Sequence, residues 1–283
     1  MKTGLVLEGG GMRGMYTAGV LDFLMDHHIK FDEVSAVSAG AAFGVNYFSN
    51  QKGRAVRYNK KFNGDKRYIS ISSLIKTGNL VNTDFVYGVV PRELDVFDDE
   101  EFKKSGICYY AAVTNMETGE AEYIKVESVF EQMDVLRASA SLPFVSRPVE
   151  IGGQKYLDGG VADSVPYKKL METGCDKMVV ILTRDINYKK EKMRQLPAYL
   201  VYRKYPNFMK KLEERHTNYN NSLEQIRALE EAGKVFVIRP SAPIEISRME
   251  KDPDKLQAVY DFGQKDAERV SQKLSEYLSE ERV

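Results

Sequence analysis

The stretch Gly4-Leu5-Val6-Leu7-Glu8-Gly9-Gly10-Gly11-Met12-Arg13-Gly14 decides the fold. Its first half is a short apolar run of β character, and its second half is a glycine cluster. From Met15 to His28 the apolar residues Val20, Leu21, Phe23 and Leu24 return at helical spacing. A strand, a glycine turn and a helix in that order open an α/β fold. The turn leaves backbone N–H groups free beside the positive end of a helix, which attracts a phosphate or a developing oxyanion. Arg13 lies inside the loop, where it orients the turn or adds positive charge. Glycine also serves a tight turn that binds nothing, through its permissive dihedrals.

Gly9-x-Gly11-x-x-Gly14 also fits the dinucleotide-binding fingerprint. That fingerprint wants an acidic residue at the end of the second strand. Here Asp32 and Glu33 precede the second apolar run, Val34 to Val37, and Ser38-Ala39-Gly40 follows it. No Gly-Lys-Ser/Thr follows the loop, so a P-loop is excluded. A nucleotide-binding oxidoreductase is therefore the weaker alternative.

Ser38 sits between a strand, Val34-Ser35-Ala36-Val37, and a helix starting at Gly40-Ala41-Ala42-Phe43. A serine on a sharp strand-to-helix turn needs small neighbours two residues to either side, and Ala36 and Gly40 supply them. The simpler use of such a serine is a helix N-cap. Two further motifs follow, Ala138-Ser139-Ala140-Ser141-Leu142-Pro143 and Asp158-Gly159-Gly160. The first reads as the end of a helix from Val135, stopped at Pro143. Taken alone, the second reads as a turn after the short strand Gln154 to Leu157.

In this order the four motifs resemble the patatin-like phospholipases, and the resemblance extends over nearly the whole chain. It implies a three-layer α/β/α sandwich with a largely parallel central sheet, formed by residues 1–283 as one domain. It implies a serine acyl-ester hydrolase acting on lipids, with Ser38 as nucleophile and Asp158 as general base, supported by Gly159 and Gly160. Gly9, Gly10, Gly11, Met12, Arg13 and Gly14 become the oxyanion loop, with the N–H groups of Gly10, Gly11 and Met12 as donors. Residues 138–144 become a segment packed under the site. No metal and no cofactor is implied. The family pattern Gly-x-Ser-x-Gly is departed from at Ala36, which adds one methyl. Asp163 is a second carboxylate on the same loop and ranks behind Asp158. Only His27, His28 and His216 are available for a triad, and none has a setting aimed at Ser38. An ordinary aspartic acid, with a pKa of about 3.9, is a weak base for a hydroxyl, so the oxyanion loop has to carry much of the barrier reduction. A catalytically silent lipid-binding regulator of the same fold is the other alternative.

Composition fits a cytoplasmic enzyme. The 41 basic and 41 acidic residues cancel, which argues against a nucleic-acid partner. No apolar run approaches the ~18 residues of a membrane span. Met1-Lys2-Thr3 leads straight into the first strand, so no secretory signal is expected. Cys108 and Cys175, without metal spacing, read as reduced core thiols. Hairpins are expected around Asn115 to Gly119 and Gly152-Gly153, buried strands at Lys177–Leu182 and Val235–Ile238, and an amphipathic helix from Pro253. Residues 184–234 form a candidate helical lid or insertion. Its segment Tyr188 to Arg215 mixes Lys189, Lys190, Lys192, Arg194, Arg203, Lys204, Lys210 and Lys211 with Tyr199, Leu200, Tyr202, Tyr205 and Phe208. Lys52 to Arg67, with Tyr58 and Phe62, is a second such stretch. Both suit either peripheral contact with an anionic lipid surface or solvated helices packed by their aromatic side.

Overall fold

In the computed structural model, which describes residues 1–192 and 200–279, the opening strand β1 (Thr3–Leu7) lies inside an eight-stranded sheet. β2 (Glu33–Val37) runs parallel to β1 on one side, and β3 (Cys108–Asn115) runs parallel to β2. The hairpin partner β4 (Ala121–Val126) is antiparallel to β3, and the second hairpin is β5 (Val149–Ile151) with β6 (Gln154–Asp158). On the other side of β1 come β7 (Lys177–Ile181) and β8 (Val235–Ile238), both parallel.

Strand alternation builds the two outer layers. Leu5, Leu7, Ala36, Ala111, Val179 and Ile181 point into one core, shared with α1 (Gly14–Asp26) and α2 (Ala39–Phe48). α3 (Arg54–Phe62), α4 (Ile71–Thr77) and α5 (Asp99–Lys104) follow α2 in the chain. Val6, Met178 and Val180 point the opposite way, into a core closed by α7 (Tyr167–Glu172) and α8 (Pro206–Glu231). α6 (Met133–Ser139) packs on β3 and the second hairpin. The last helix, α9 (Pro253–Ser279), returns to the first layer and crosses α1. Gly19 faces the Tyr260 carbonyl and Gly263 faces the Tyr16 carbonyl, so a Cβ at either position would collide with backbone. β1 and β7 are apolar on both faces because helices cover both. This is the expected three-layer α/β/α sandwich.

Several local expectations change. α6 ends at Ser139 rather than at Pro143. Cys108 and Cys175 are free but half-buried, not core thiols, and burial pushes the Cys175 thiol up to about 11. Within 184–234, residues 206–231 form one long helix, α8, anchored by buried Phe208, Leu212, Tyr219 and Ile226. Tyr202 is buried as well, as are Tyr58 and Phe62 of the other basic stretch, so these aromatic side chains face the interior. Arg194 and Tyr199 lie outside the described residues. Among the described residues no helix is long and apolar enough to cross a membrane.

One feature of the sheet positions the chemistry. β4 occupies one edge of β3 from Tyr109 to Thr114, so β2 and β6 share the opposite edge. β2 pairs as far as Val37↔Ala112, and β6 takes over at Asp158↔Val113. Because β6 runs antiparallel, the two strands meet head to head at their carboxyl ends. The residue after β2 is Ser38, and the last residue of β6 is Asp158.

Candidate active site

Ser38 occupies a backbone conformation that side chains disfavour, φ 56° and ψ −126°. Such positions cost of order 1–3 kcal/mol and persist only when their surroundings fix them. Here the Ser38 N–H donates to Ser139 Oγ (2.8 Å), and the Ser139 hydroxyl donates to the Ala112 carbonyl (2.7 Å). The elbow is thereby tied to β3 through one buried hydroxyl. Gly40 is required by space, since a Cβ there would sit 2.7 Å from the Glu8 carbonyl oxygen. Ala36 is tolerated because its methyl points into the α1/α2 core.

The Ser38 hydroxyl donates to Asp158 Oδ2 at 2.7 Å, and both residues are buried. The other carboxylate oxygen, Oδ1, accepts the Gly160 N–H at 2.7 Å. Thr114 Oγ1 donates to the Asp158 carbonyl (2.9 Å), which pins the Asp158 loop to β3. Gly159 lies against the Ala112 carbonyl with no room for a side chain. Burial pushes the Asp158 carboxyl above its ordinary value, against the opposing pull of Arg215, the Ser38 hydroxyl and the Gly160 N–H. Asp163 is held elsewhere, accepting from Tyr123 Oη at 2.7 Å. His27 caps back onto the Phe23 carbonyl, His28 is exposed, and His216 is half-buried on α8 with Nδ1 against the Glu213 carbonyl.

The glycine loop passes directly beside the serine, since a Cβ on Gly9 would meet Ser38 Cβ at 2.9 Å. Gly11 takes φ +58°. Among the described residues no acceptor engages the N–H groups of Gly10 and Gly11. Met12 differs from its expected donor role, because its N–H donates to the Arg248 carbonyl at 3.0 Å. Gly14 starts α1 and touches Phe43 and Ala39, so its small size serves packing of α1 on α2. Arg13 is buried, and its Nε has no hydrogen-bond partner among the described residues.

Two pockets meet at Ser38, sharing Gly11, Leu142 and Arg248 as common walls. One has a cavity volume of about 160 Å³ and is lined by apolar residues such as Phe43, Tyr58, Val86, Val90 and Leu136. Part of its wall is a π-helical segment, Asp84–Leu94, which contains Pro91. The other pocket, with a cavity volume of about 30 Å³, holds Asp158 and Glu8 together with Arg13, Arg184, Lys190, Arg215 and Arg248. Glu8 is fully engaged, accepting from Tyr219 Oη (2.7 Å) and the Thr183 N–H (2.5 Å). Arg215 Nε donates to the Gly160 carbonyl at 2.5 Å.

The sequence reading missed Ser139 as a positioning group and missed the cations at 184, 215 and 248. Arg184 carried a usable signal, since it follows β7 at the carboxyl end of a parallel strand, where open α/β sheets bind ligands. Lys190 was visible only as part of a basic stretch.

A family model described as patatin-like phospholipase matches residues 5–171. A second, described as a domain of unknown function (DUF6363), matches residues 205–279. The uncharacterized protein YjjU of Escherichia coli is 26% identical over 249 residues, covering 86% of this chain and 70% of its own length. Lysophospholipase NTE1 of Debaryomyces hansenii is 28% identical over 185 residues, which is 64% of this chain but 12% of that much longer protein. VipD from Legionella pneumophila superposes with a TM-score of 0.47 at 14% identity, covering 96% of this chain and 67% of the other.

Proposed function

The chain belongs to the patatin-like phospholipase family, and on that premise we propose that it hydrolyses acyl esters of lipids through a Ser38–Asp158 dyad. The observation that carries this reading is the place of the Ser38 hydroxyl, bonded to a buried carboxylate where an apolar pocket meets a polar one. An amphiphile whose ester bond lies between its apolar chain and its polar head fits that junction.

Ser38 Oγ attacks the acyl carbonyl carbon while its proton passes to Asp158 Oδ2. The carbonyl oxygen becomes an oxyanion facing the N–H groups of Gly10 and Gly11, where preorganised donors stabilise it most. The C–O bond to the alcohol breaks, and the alcohol leaves with the proton from Asp158. Water then attacks the acyl-enzyme, giving its proton to Asp158, and the free acid departs as that proton returns to Ser38 Oγ. A raised carboxyl affinity for protons makes Asp158 a better base than an exposed aspartate. Ser139 positions the elbow and touches no substrate.

Labelling with a fluorophosphonate and mass spectrometry of the modified peptide tests this directly. Modification at Ser38, and loss of p-nitrophenyl ester turnover in Ser38→Ala to below a few per cent of wild type, are expected. Labelling at another serine, or turnover that survives in Ser38→Ala, would overturn the assignment.

A further inference from the structure

We infer that the pocket lined by Arg13, Arg184, Lys190, Arg215 and Arg248 receives the phosphate group of the substrate's head, so that the enzyme selects net-anionic lipids over zwitterionic ones. The inference rests on the acyl-hydrolase reading for the position of the ester and adds the identity of the head.

Five cationic side chains converge on one pocket beside Ser38. Among the described residues none of the five has a carboxylate ion-pair partner. The two acids in the pocket are already occupied, Glu8 by Tyr219 and Thr183, and Asp158 by Ser38 and Gly160. Arg13 is only 6% exposed, with its Nε unpartnered. A fold gains nothing by gathering like charges, so the arrangement calls for an anion from outside. Arginine forks match phosphate oxygens, and such charge-assisted bonds are the strong ones.

A choline or ethanolamine head finds no counterpart here. The two aromatic faces that would receive its cation are taken, since the Arg184 guanidinium lies 4.0 Å from the Tyr188 ring centroid and Lys190 Nζ 4.1 Å from that of Tyr219. No carboxylate is left to balance an ammonium group. Mutual repulsion is already visible in the cluster, where burial together with Arg215, Arg248 and Arg13 brings the Lys190 amine down to about 7. A phosphate relieves that repulsion. Arg215, Tyr219 and Arg248 all fall within the segment matched by the model of unknown function, residues 205–279. That segment thereby acquires a role, which is to read the head group.

Two measurements test the inference. First, kcat/KM is compared for a lysophosphatidate and a lysophosphatidylcholine bearing the same acyl chain. An excess of about tenfold or more for the lysophosphatidate is expected, on the scale of one or two charged hydrogen bonds. In Arg184→Gln/Arg248→Gln the ratio should fall toward unity, and the double lysine variant at these positions should restore part of it. Equal rates in the wild type, or a ratio unchanged in the glutamine variant, would overturn the inference. Second, calorimetry with glycerol 3-phosphate, glycerophosphocholine and inorganic phosphate reports on the pocket without any hydrolysis. Binding of glycerol 3-phosphate but not glycerophosphocholine supports the head-group role, and it stands even if Ser38 fails to label. Inorganic phosphate binding that leaves lysophosphatidate turnover uninhibited would mark a free-phosphate site and defeat the proposal.

Discussion

The two pockets beside Ser38 treat charge in opposite ways. In the apolar pocket the buried Arg54 is fully satisfied, with Nε 3.2 Å from Asp95 Oδ1 and a terminal nitrogen 2.9 Å from Asn46 Oδ1. Its guanidinium also lies over the rings of Tyr58 and Phe97. It closes a wall. In the other pocket, among the described residues, none of the five cations forms an ion pair, and they outnumber the two acids, Glu8 and Asp158. A buried charge with a partner inside the fold is structure, whereas a cluster without one is arranged for a partner outside it. The walls differ in origin too. The apolar pocket is drawn mostly from residues 38–142, whereas the cationic one gathers strand ends and α8.

The strongest way to break this picture is at Asp158, the hydrogen-bond partner of the serine that both pockets share. Asp158→Asn should lower turnover by about 10³-fold or more while leaving the fold intact, because the amide cannot take the Ser38 proton. The pH dependence has a definite sign. As the proposed base, Asp158 has to be ionised to act, and burial raises its pKa, so the acid limb of kcat/KM should lie above the ~3.9 of an ordinary aspartate. For stability the same shift works the other way. A folded-state pKa above the unfolded value gives a contribution that is complete below the unfolded pKa and is lost as pH rises through the folded one. Thermal unfolding of the wild type should therefore gain on that of Asp158→Asn as the medium is acidified. An acid limb at or below the ordinary carboxylate range would show that Asp158 is not the buried base.

A second test concerns the wall the pockets share. Gly11 holds φ +58°, and a Cβ there would sit 2.5 Å from the Arg248 carbonyl oxygen. Gly11→Ala should push the Arg248 segment away and cost about 10²-fold in kcat, on the scale of one lost oxyanion donor. Gly53→Ala is the control, because Gly53 also has a positive φ (+72°) but nothing within 4 Å of its Cβ position. Equal losses at both positions would reduce the loop to a folding element. The smallest effect is expected in the apolar pocket. Val86→Phe places a ring where acyl carbons would lie, so the kcat/KM ratio of long-chain to short-chain p-nitrophenyl esters should fall by about tenfold, given roughly 0.8 kcal/mol per excluded methylene. An unchanged ratio would mean that the chain lies elsewhere.

Legibility in the sequence follows how local each feature is. The glycine loop, Ser38 and Asp158 were readable because each stands at the end of a strand whose boundaries the chain announces with glycine. The three layers were readable from the double-sided apolar character of β1 and β7. Ser139 was hidden, since nothing in Ala138-Ser139-Ala140 says that its hydroxyl will meet an N–H 101 positions earlier in the chain. The cationic pocket was hidden for a similar reason. Arg13, Arg184, Lys190, Arg215 and Arg248 become neighbours only through the order of the strands and the return of α8 across them. In the basic, aromatic stretch 188–215 the sequence did not say which way the rings turn; Tyr202 and Phe208 turn inward and fill a core.

The handover along β3 has a mechanical meaning. Ser38 and Asp158 are 120 residues apart in sequence, yet their spacing is gauged by neighbouring positions on a single strand, Ala112 and Val113. Most of the apolar pocket's wall lies between them in the chain. The size and shape of that wall can therefore be rebuilt, by insertion or repacking, without changing the Ser38–Asp158 hydrogen bond on which the proposed proton transfer depends. The same construction makes the enzyme easy to silence from a distance, because anything that peels β6 from β3 parts the pair without touching either residue.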